Sequence, residues 1–265
     1  MHWEQAIKVF TVSALTLLAS FASADGQPPD LQRLKDSGHC VGCNLAGADL
    51  SGMRLMSADL SGADLRGAQL RKTILFRANL ARADLRGASV EKASLGRIDL
   101  SGARLDGLDL NGARLAHANL VNARLQGAHL SNTMLEHADL RGADLTGANL
   151  SNAALRNAKL DGTVLDAAVL KDADLRLLDL RKVASLRDTN LSGTRLNKAK
   201  LDDQNLSGNT LDGANLMQAS LVGTRLNSAS LIRTNMRRPD MKGVDLRKAD
   251  LRGANIKRAK LKGVH

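Results

Sequence analysis

The residues of this sequence best suited to chemistry are Cys40 and Cys43, its two cysteines. A C-x-x-C spacing occurs in redox pairs, in half of a zinc site and in haem attachment sites. Haem attachment requires a histidine directly after the second cysteine, where this chain has Asn44, and zinc would need two further ligands when only His39 is close. A thioredoxin-type pair requires a βαβ context, which the sequence does not provide. The spacing therefore predicts a structural disulfide in an oxidising compartment, with a free dithiol as the alternative.

No other set of side chains has the spacing of a known catalytic centre. The sequence contains no recognisable Ser/His/Asp combination, no pair of carboxylates placed for acid–base work and no glycine-rich phosphate loop. We therefore expect a protein that is not an enzyme, with no catalytic residues, no bound metal and no cofactor.

The first 24 residues have the organisation of a secretory signal peptide. Lys8 precedes an apolar stretch over residues 9–21, and small residues at 22–24 form a cleavage site before Asp25. The stretch is shorter than the ~20 apolar residues that a membrane helix needs, and an uncleaved anchor is the alternative. The sequence thus predicts a cleaved signal peptide and a periplasmic or secreted mature protein that starts at Asp25.

Composition limits the class of partner. The formal net charge is +11, which suits an anionic partner. Once the predicted signal peptide is removed, Phe76 is the only Phe, Trp or Tyr that remains. The mature chain therefore lacks the aromatic platforms on which proteins stack bases, and this argues against nucleic acid as the partner.

The dominant feature of the chain is a repeat of five residues. Every fifth residue from Leu45 to Leu180 is Leu, except Val90, and a second series runs from Leu186 to Leu261, which makes 44 repeats. Two positions earlier stands a small or apolar residue, which is Ala in 28 of the 44. On an α-helix, leucines five residues apart would be rotated by about 140° from one to the next, and on a straight strand they would point to opposite sides. Neither structure therefore places the leucines on one side. A chain that bends once per repeat does place them on one side, and we expect a polygonal coil whose stacked turns enclose an apolar core.

The repeat residues resemble those of a known family. Ala48–Gly52 reads A-D-L-S-G and Ala63–Gly67 reads A-D-L-R-G, which is similar to the A-(D/N)-L-x-x signature of pentapeptide-repeat proteins. The resemblance covers residues 43–263 and implies an all-β fold, a right-handed four-sided β-helix solenoid with four repeats per coil. We divide the chain accordingly into a signal peptide (1–24), an N-terminal cap segment (25–42), a first solenoid part (43–180), a register slip (181–185) and a second solenoid part with a basic C-terminal end (186–265).

Each repeat has a wide core slot for Leu and a tight slot, two residues earlier, that favours Ala. Four residues do not suit the tight slot and predict local irregularities, namely Leu108, Leu178, Gln204 and Pro239. Before the coil, Asp30 as an N-cap and Gly38 as a terminator predict a short helix. We expect this helix to cover the apolar end of the solenoid, as terminal caps do.

With twenty residues per coil, residues twenty apart fall in one column. His117 and His137 share a column, but Arg77, Arg97 and Asn157 belong to it too, so we interpret the pair as part of a polar wall and predict no metal there. One side of the coil carries a net charge of about +4 between residues 43 and 182, together with apolar residues that point outward. Its interaction candidates are Arg54, Phe76, Arg77, Arg97 and Arg114.

The C-terminal end is the second candidate surface. Residues 233–262 hold eleven Lys and Arg against three Asp, a net charge of +8. The interaction candidates here are Arg247, Lys248, Arg252, Lys257 and Arg258. These charges either dock an anionic partner or prevent end-to-end self-association of the open coil, and we favour docking.

These patterns predict a non-catalytic exported scaffold or binding module. Its expected partner is an anionic envelope component or an acidic protein. The family resemblance implies an alternative, since some pentapeptide-repeat proteins mimic DNA and protect topoisomerases. That role requires an acidic rod in the cytoplasm, and both the net charge of +11 and the predicted signal peptide argue against it.

Overall fold

The structure, a computed structural model, describes residues 30–265. The predicted signal peptide and the start of the cap segment lie outside the described residues. The described chain begins with one helix, α1 (Asp30–Ser37). Leu31 and Leu34 bury its apolar side, and Gly38 ends it at φ 69° with its N–H donating to the Leu34 carbonyl at 2.9 Å. The predicted cap helix is therefore present, with the predicted terminator, and it begins at Asp30.

The remainder of the described chain is a coil held by single-residue parallel bridges. Each bridge joins a residue to the one twenty positions later, as Asp59 does to Asn79, so one coil contains four five-residue repeats. In the outermost coil, the Leu45 N–H donates to the Asp64 carbonyl at 2.8 Å and the Asp64 N–H to the Cys43 carbonyl at 2.9 Å. The first bridge starts at His39, so the coil begins inside the segment that the sequence assigned to the cap.

Four faces run along the coil, and we number them by their first residues. Face I begins with residues 39–42, face II with 44–47, face III with 49–52 and face IV with 54–57. On each face a bridge residue is followed by a core Leu and two corner residues, and we call one such set a rung. The equivalent positions recur every twenty residues, or every twenty-one across residue 184.

The core has the predicted composition. The wide slots hold Leu and the tight slots hold mostly Ala, and both are buried, as Leu60 and Ala63 are at 0% exposure. Outside the core, face I carries a ladder in which the Asn79 amide donates to Asp59 at 3.0 Å and the Asn119 amide to Asp99 at 3.0 Å. The alternation of Asp with Asn separates like charges that would otherwise stack.

The register slip consists of one extra residue, Ala184. Val164 pairs with Ser185, twenty-one positions later. Val183 fills the tight slot and its N–H closes the turn on the Leu180 carbonyl at 3.2 Å, while Ala184 is exposed. The spacing to the next Leu alone would have placed Ala184 in the core. The slip is therefore a bulge on the outside of the coil.

Three of the four predicted irregularities coincide with a missing bridge. The register of the described coil requires one bridge beside each of Leu108, Leu178 and Gln204. These bridges, which would be Ser89–Asp109, Lys159–Asp179 and Ser185–Asn205, do not form. The fourth position, Pro239, leaves the neighbouring Ser220–Asp240 bridge in place. Beside Leu108 the Ser94–Arg114 bridge is missing as well, and a cleft of about 860 Å³ opens between residues 88–94 and 109–114.

Candidate functional site

The cysteine pair lies in the first turn of the coil, directly after the cap helix. Cys40 and Cys43 form a disulfide and both are buried. Asp30 lies against this disulfide, because its carbonyl oxygen is 3.4 Å from Cys40 Sγ and its Oδ2 accepts from the Asn44 N–H at 2.8 Å. Asp30, Cys40 and Cys43 bring potential metal-binding atoms within 4.8 Å of one another. Disulfide sulfurs carry no thiolate for a metal, so the arrangement is a structural link.

The histidine pair lies on face IV. The rings of His117 and His137 stack with centroids 4.8 Å apart and planes 5° apart, and Asn157 Nδ2 lies 3.4 Å from His137 Nε2. These three side chains therefore form a polar stack along one edge of the face, and Leu177 follows them in the same column.

Face IV carries nearly all the net charge of the coil. Over eleven rungs it holds two acidic residues, Glu136 and Asp174, and twelve basic ones: Arg54, Arg77, Arg97, Arg114, Arg156, Arg176, Arg195, Lys198, Arg237, Arg238, Lys257 and Arg258. The other faces are close to balance, with nine basic against eight acidic residues on face I, eight against seven on face II and six against six on face III. The positive field of the molecule therefore points in one direction.

Most basic residues of face IV also lack acidic partners within the described part of the chain. Of the sixteen ion pairs in residues 30–265, only two involve face IV, and both use Asp174, at 2.6 Å from Arg176 and 3.9 Å from Arg156. The other ten basic residues of the face form no ion pair within the described part of the chain. Elsewhere the pairs are close. Arg141, for example, binds Asp139 at 2.7 Å, and its hydrogen bond lowers the pKa of that carboxyl.

The backbone of face IV gives independent evidence that its side chains are needed. The second corner residue has a left-handed conformation in every described rung except the one that ends at Lys182, and this conformation costs a non-glycine residue roughly 1–2 kcal/mol. The other faces use five to eight glycines each at this corner. Face IV uses none, and its corner residues all have φ between 56° and 66°: Ser57, Arg77, Arg97, His117, His137, Asn157, Leu177, Lys198, Gln218, Arg238 and Arg258. Strain of this kind that recurs along one surface favours a functional role for that surface.

Apolar side chains project from the same face. Met56 is 60% exposed, Met134 46% and Leu177 67%. Phe76 is half-buried beneath Arg77, whose guanidinium carbon lies 5.4 Å from the ring centroid. The ring packs on Gly96 of the next coil, where a Cβ would lie only 3.3 Å from Phe76 Cδ2.

The structure brings one group of predicted site residues together and divides the other. Arg54, Phe76, Arg77, Arg97 and Arg114 all lie on face IV. From the C-terminal group, Lys257 and Arg258 continue face IV, whereas Arg247 and Lys248 lie on face II and Arg252 on face III. Arg247 and Arg252 are also paired, with Asp245 at 2.7 Å and with Asp250 at 2.6 Å.

Among the basic residues of face IV that follow the register slip, four were not among the sequence candidates. They are Arg195, Lys198, Arg237 and Arg238. They lie after the slip, where a fixed interval of twenty residues no longer follows the face. An interval of twenty-one across residue 184 would have found them.

Comparison with known proteins identifies the repeat. The family model described as pentapeptide repeats matches in eight copies, over residues 39–75, 78–115, 109–147, 148–183, 184–223 and 229–265. No protein with a curated description matches the chain.

Several solved structures are similar. One is HetL of Nostoc sp. strain PCC 7120, a pentapeptide repeat protein involved in heterocyst differentiation regulation, with 33% identity over 88% of this chain and 94% of that one and a TM-score of 0.32. Another is QnrB1, a plasmid-mediated fluoroquinolone resistance protein, with 17% identity over 80% and 90% and a TM-score of 0.38. A third comes from the Arabidopsis thaliana thylakoid lumen, with 33% identity over 49% and 80% and a TM-score of 0.21. With the repeat model matching along the whole coil, this chain belongs to the pentapeptide-repeat family.

Proposed function

We propose that this protein is a non-catalytic binding module that docks a polyanionic partner through face IV. The observation that carries the proposal is the charge of that face, which has twelve basic residues against two acidic ones. Ten of the twelve basic residues form no ion pair within residues 30–265. We also propose the right-handed sense of the family for the coil.

The spacing of the charges supports an extended partner. Adjacent rungs are spaced like β-strands, about 4.8 Å apart, so eleven rungs form a strip about 50 Å long. Like charges at such distances repel one another, and a polyanion lying along the strip removes that repulsion. Association of this kind is fast and weakens steeply with salt.

A binding role fits the described surface better than a catalytic one. The cleft beside Leu108 is lined by no histidine and no cysteine, and it results from a packing irregularity. The topoisomerase-directed alternative needs an acidic surface, and each of the four faces of the described coil is neutral or basic.

We place this function outside the cytoplasm, as part of the same proposal. Support comes from the signal-like residues 1–24 and from the disulfide between Cys40 and Cys43, which is stable in an oxidising compartment. An anionic envelope component or an acidic protein remains the proposed partner class. None of the helices in residues 30–265 is long and apolar enough to span a membrane.

Two matched variants test the role of face IV. The first replaces Arg97, Arg114, Arg195 and Lys198 with Gln, and the second replaces four unpaired, exposed basic residues of the other faces, Arg82, Lys171, Arg225 and Arg233. Both lose the same charge, and each set contains two left-handed corner residues. We expect binding to immobilised heparin, used as a model polyanion, to fall strongly in the first variant and little in the second. Equal loss in both would show that net charge alone matters and would overturn the assignment to face IV.

A further inference from the structure

A shallow pocket interrupts face IV in the rungs on either side of the register slip. It has a volume of about 560 Å³, and Leu177 and Met217 contribute apolar surface to it. Arg156, Arg195 and Lys198 stand around these residues. Arg195 and Lys198 form no ion pair in the described chain, so the pocket combines free positive charge with exposed apolar surface.

The same combination extends along the face. Six large apolar side chains are exposed in residues 30–265, and four of them, Met56, Met134, Leu177 and Ile256, belong to rungs of face IV. Ile256 is a wide-slot residue of the last coil, as is Leu261, and Val41 belongs to the first coil. Over the rest of the described coil, the exposed large apolar residues therefore lie on the face that carries the largest number of basic residues without an ion pair.

Resting on the function proposed above, we propose that the anionic partner is the surface of a phospholipid bilayer. The pocket around Leu177 would accept one lipid phosphate between Arg195 and Lys198. Arginine and lysine bind phosphates in the headgroup layer, and apolar side chains on the same surface enter the boundary with the acyl chains. A strip about 50 Å long is long enough to contact several lipid headgroups at once.

The apolar residues decide between a bilayer and other polyanions. An acidic polysaccharide or a soluble acidic protein segment would neutralise the arginines but would leave Met56 and Leu177 in water. A bilayer removes both the charge repulsion and the apolar exposure. Leu177 also occupies a left-handed corner at φ 66°, where glycine would be more comfortable, so its presence calls for such a role.

The test compares two ligands and two kinds of variant on the full chain. The ligands are vesicles of phosphatidylglycerol mixed with phosphatidylcholine, and heparin as a soluble polyanion without an apolar layer. The apolar variant is Met56→Ser with Leu177→Ser, and its control is Val41→Ser, which alters an exposed apolar residue of face I. The charge variant is Arg195→Gln with Lys198→Gln, and its control is Arg225→Gln with Arg233→Gln. Circular dichroism verifies that every variant is folded.

We expect the wild type to sediment with the mixed vesicles and not with phosphatidylcholine alone. The apolar variant should lose roughly ten- to a hundred-fold in vesicle affinity, because two side chains no longer leave water, and should bind heparin as before. The charge variant should lose affinity for both ligands, and the two controls for neither.

Failure of this proposal is distinguishable from failure of the proposed function. If the wild type binds heparin but not mixed vesicles, or if the apolar variant binds vesicles like the wild type, the bilayer proposal is wrong while polyanion docking stands. If the wild type binds neither ligand, both are wrong.

Discussion

Leu108 occupies the same tight core slot as Ala88, one coil further on, and the bridge beside them, from Ser89 to Asp109, is missing. Ala88 is 7% exposed. Ala83, whose column of tight slots contains no leucine, is fully buried. The pair formed by Leu178 and Ala158 repeats the pattern, with Ala158 at 8% exposure and no bridge from Lys159 to Asp179. We infer that the extra carbons of these two leucines separate adjacent coils, because close-packed cores have no spare volume. Ile98, in another tight slot, is accommodated with the Asn79–Asp99 bridge in place, so the effect depends on side-chain shape as well as on size.

Replacing Leu108 with Ala should close the cleft. We expect the Ser89–Asp109 and Ser94–Arg114 bridges to form, and the backbone amides of Val90 and Lys92 to exchange with solvent more slowly. The gain in backbone pairing offsets the lost burial, so the free energy of unfolding should change by less than the ~2–5 kcal/mol that a buried Leu→Ala replacement usually costs. Hydrogen exchange and denaturant unfolding measure the two effects.

Leu110 provides the control, because it fills a wide slot two residues away. Leu110→Ala should destabilise the protein by roughly 2–5 kcal/mol and should not slow exchange at Val90. Equal losses from the two replacements would show that Leu108 causes no strain.

Arg97→Gly should increase stability and weaken polyanion binding in the same protein. Arg97 has φ 56° and no ion pair in the described chain, and glycine relieves a left-handed strain of about 1 kcal/mol. The matched control is Gly107→Ala on face II, where φ is 67° and a new Cβ meets nothing within 4 Å. It should lose about 1 kcal/mol of stability without affecting binding. Denaturant unfolding and a heparin titration give both quantities, and a stabilised Arg97→Gly that binds normally would contradict a functional reason for the strain.

Removing the disulfide should loosen the N-terminal coils alone. Cys40 and Cys43 enclose a very short loop, so their replacement with Ala should cost the low end of the range for disulfides, about 2 kcal/mol. Coils contact mainly their neighbours, so we expect faster amide exchange at Leu45 and Leu50 and unchanged exchange at Leu145. A uniform acceleration along the chain would show that the disulfide stabilises the whole coil and not just its start.

The Asp179–Arg181 pair should make stability depend on pH in acid. The hydrogen bond from Arg181 lowers the pKa of Asp179 from 3.8 to about 2. Because the pKa is lower in the folded protein, the ionised Asp179 contributes to the free energy of unfolding. This contribution is complete above the unfolded pKa of about 3.9 and is lost as the pH falls toward 2. Asp179→Asn should therefore destabilise the protein at pH 7, by roughly 0.2–1 kcal/mol because both side chains are partly exposed, and the difference from wild type should vanish near pH 2.

Arg181→Gln provides the check on that pair. It should reproduce the pH dependence of Asp179→Asn, and the double variant should lose no more than either single one. Additive losses measured by denaturant unfolding would mean that the two residues act separately.

Export predicts a defined N-terminus. If residues 1–24 are a cleaved signal peptide, the mature protein begins at Asp25, and N-terminal sequencing of the extracytoplasmic protein should read Asp-Gly-Gln-Pro-Pro. An intact Met1 on that protein would contradict cleavage, and retention of the full chain in the cytoplasm would remove the support for export.

Much of the fold is predictable from the sequence because its signal is local and repeated. A Leu every five residues with Ala two positions earlier can be buried on one side only by a chain that turns at each repeat. The tight slot made Leu108 and Leu178 recognisable as irregular before any coordinates, since only residue size was needed. Gly38 likewise marks the end of α1 through local capping chemistry.

The candidate site required the tertiary structure, because it consists of residues twenty positions apart. The alignment of these residues depends on the position of one extra residue, Ala184. The repeat pattern alone does not show whether Val183 or Ala184 fills the tight slot. Only the structure shows that Arg195 and Lys198 lie on the same face as Arg97 and that Arg247 lies on another face. The ion pairs between adjacent coils were decided at the same level, as the pair of Arg71 with Glu91 at 2.6 Å illustrates. The sequence by itself therefore determined the coil and its net charge, and the stacking of the coils decided that this charge lies unpaired on one face.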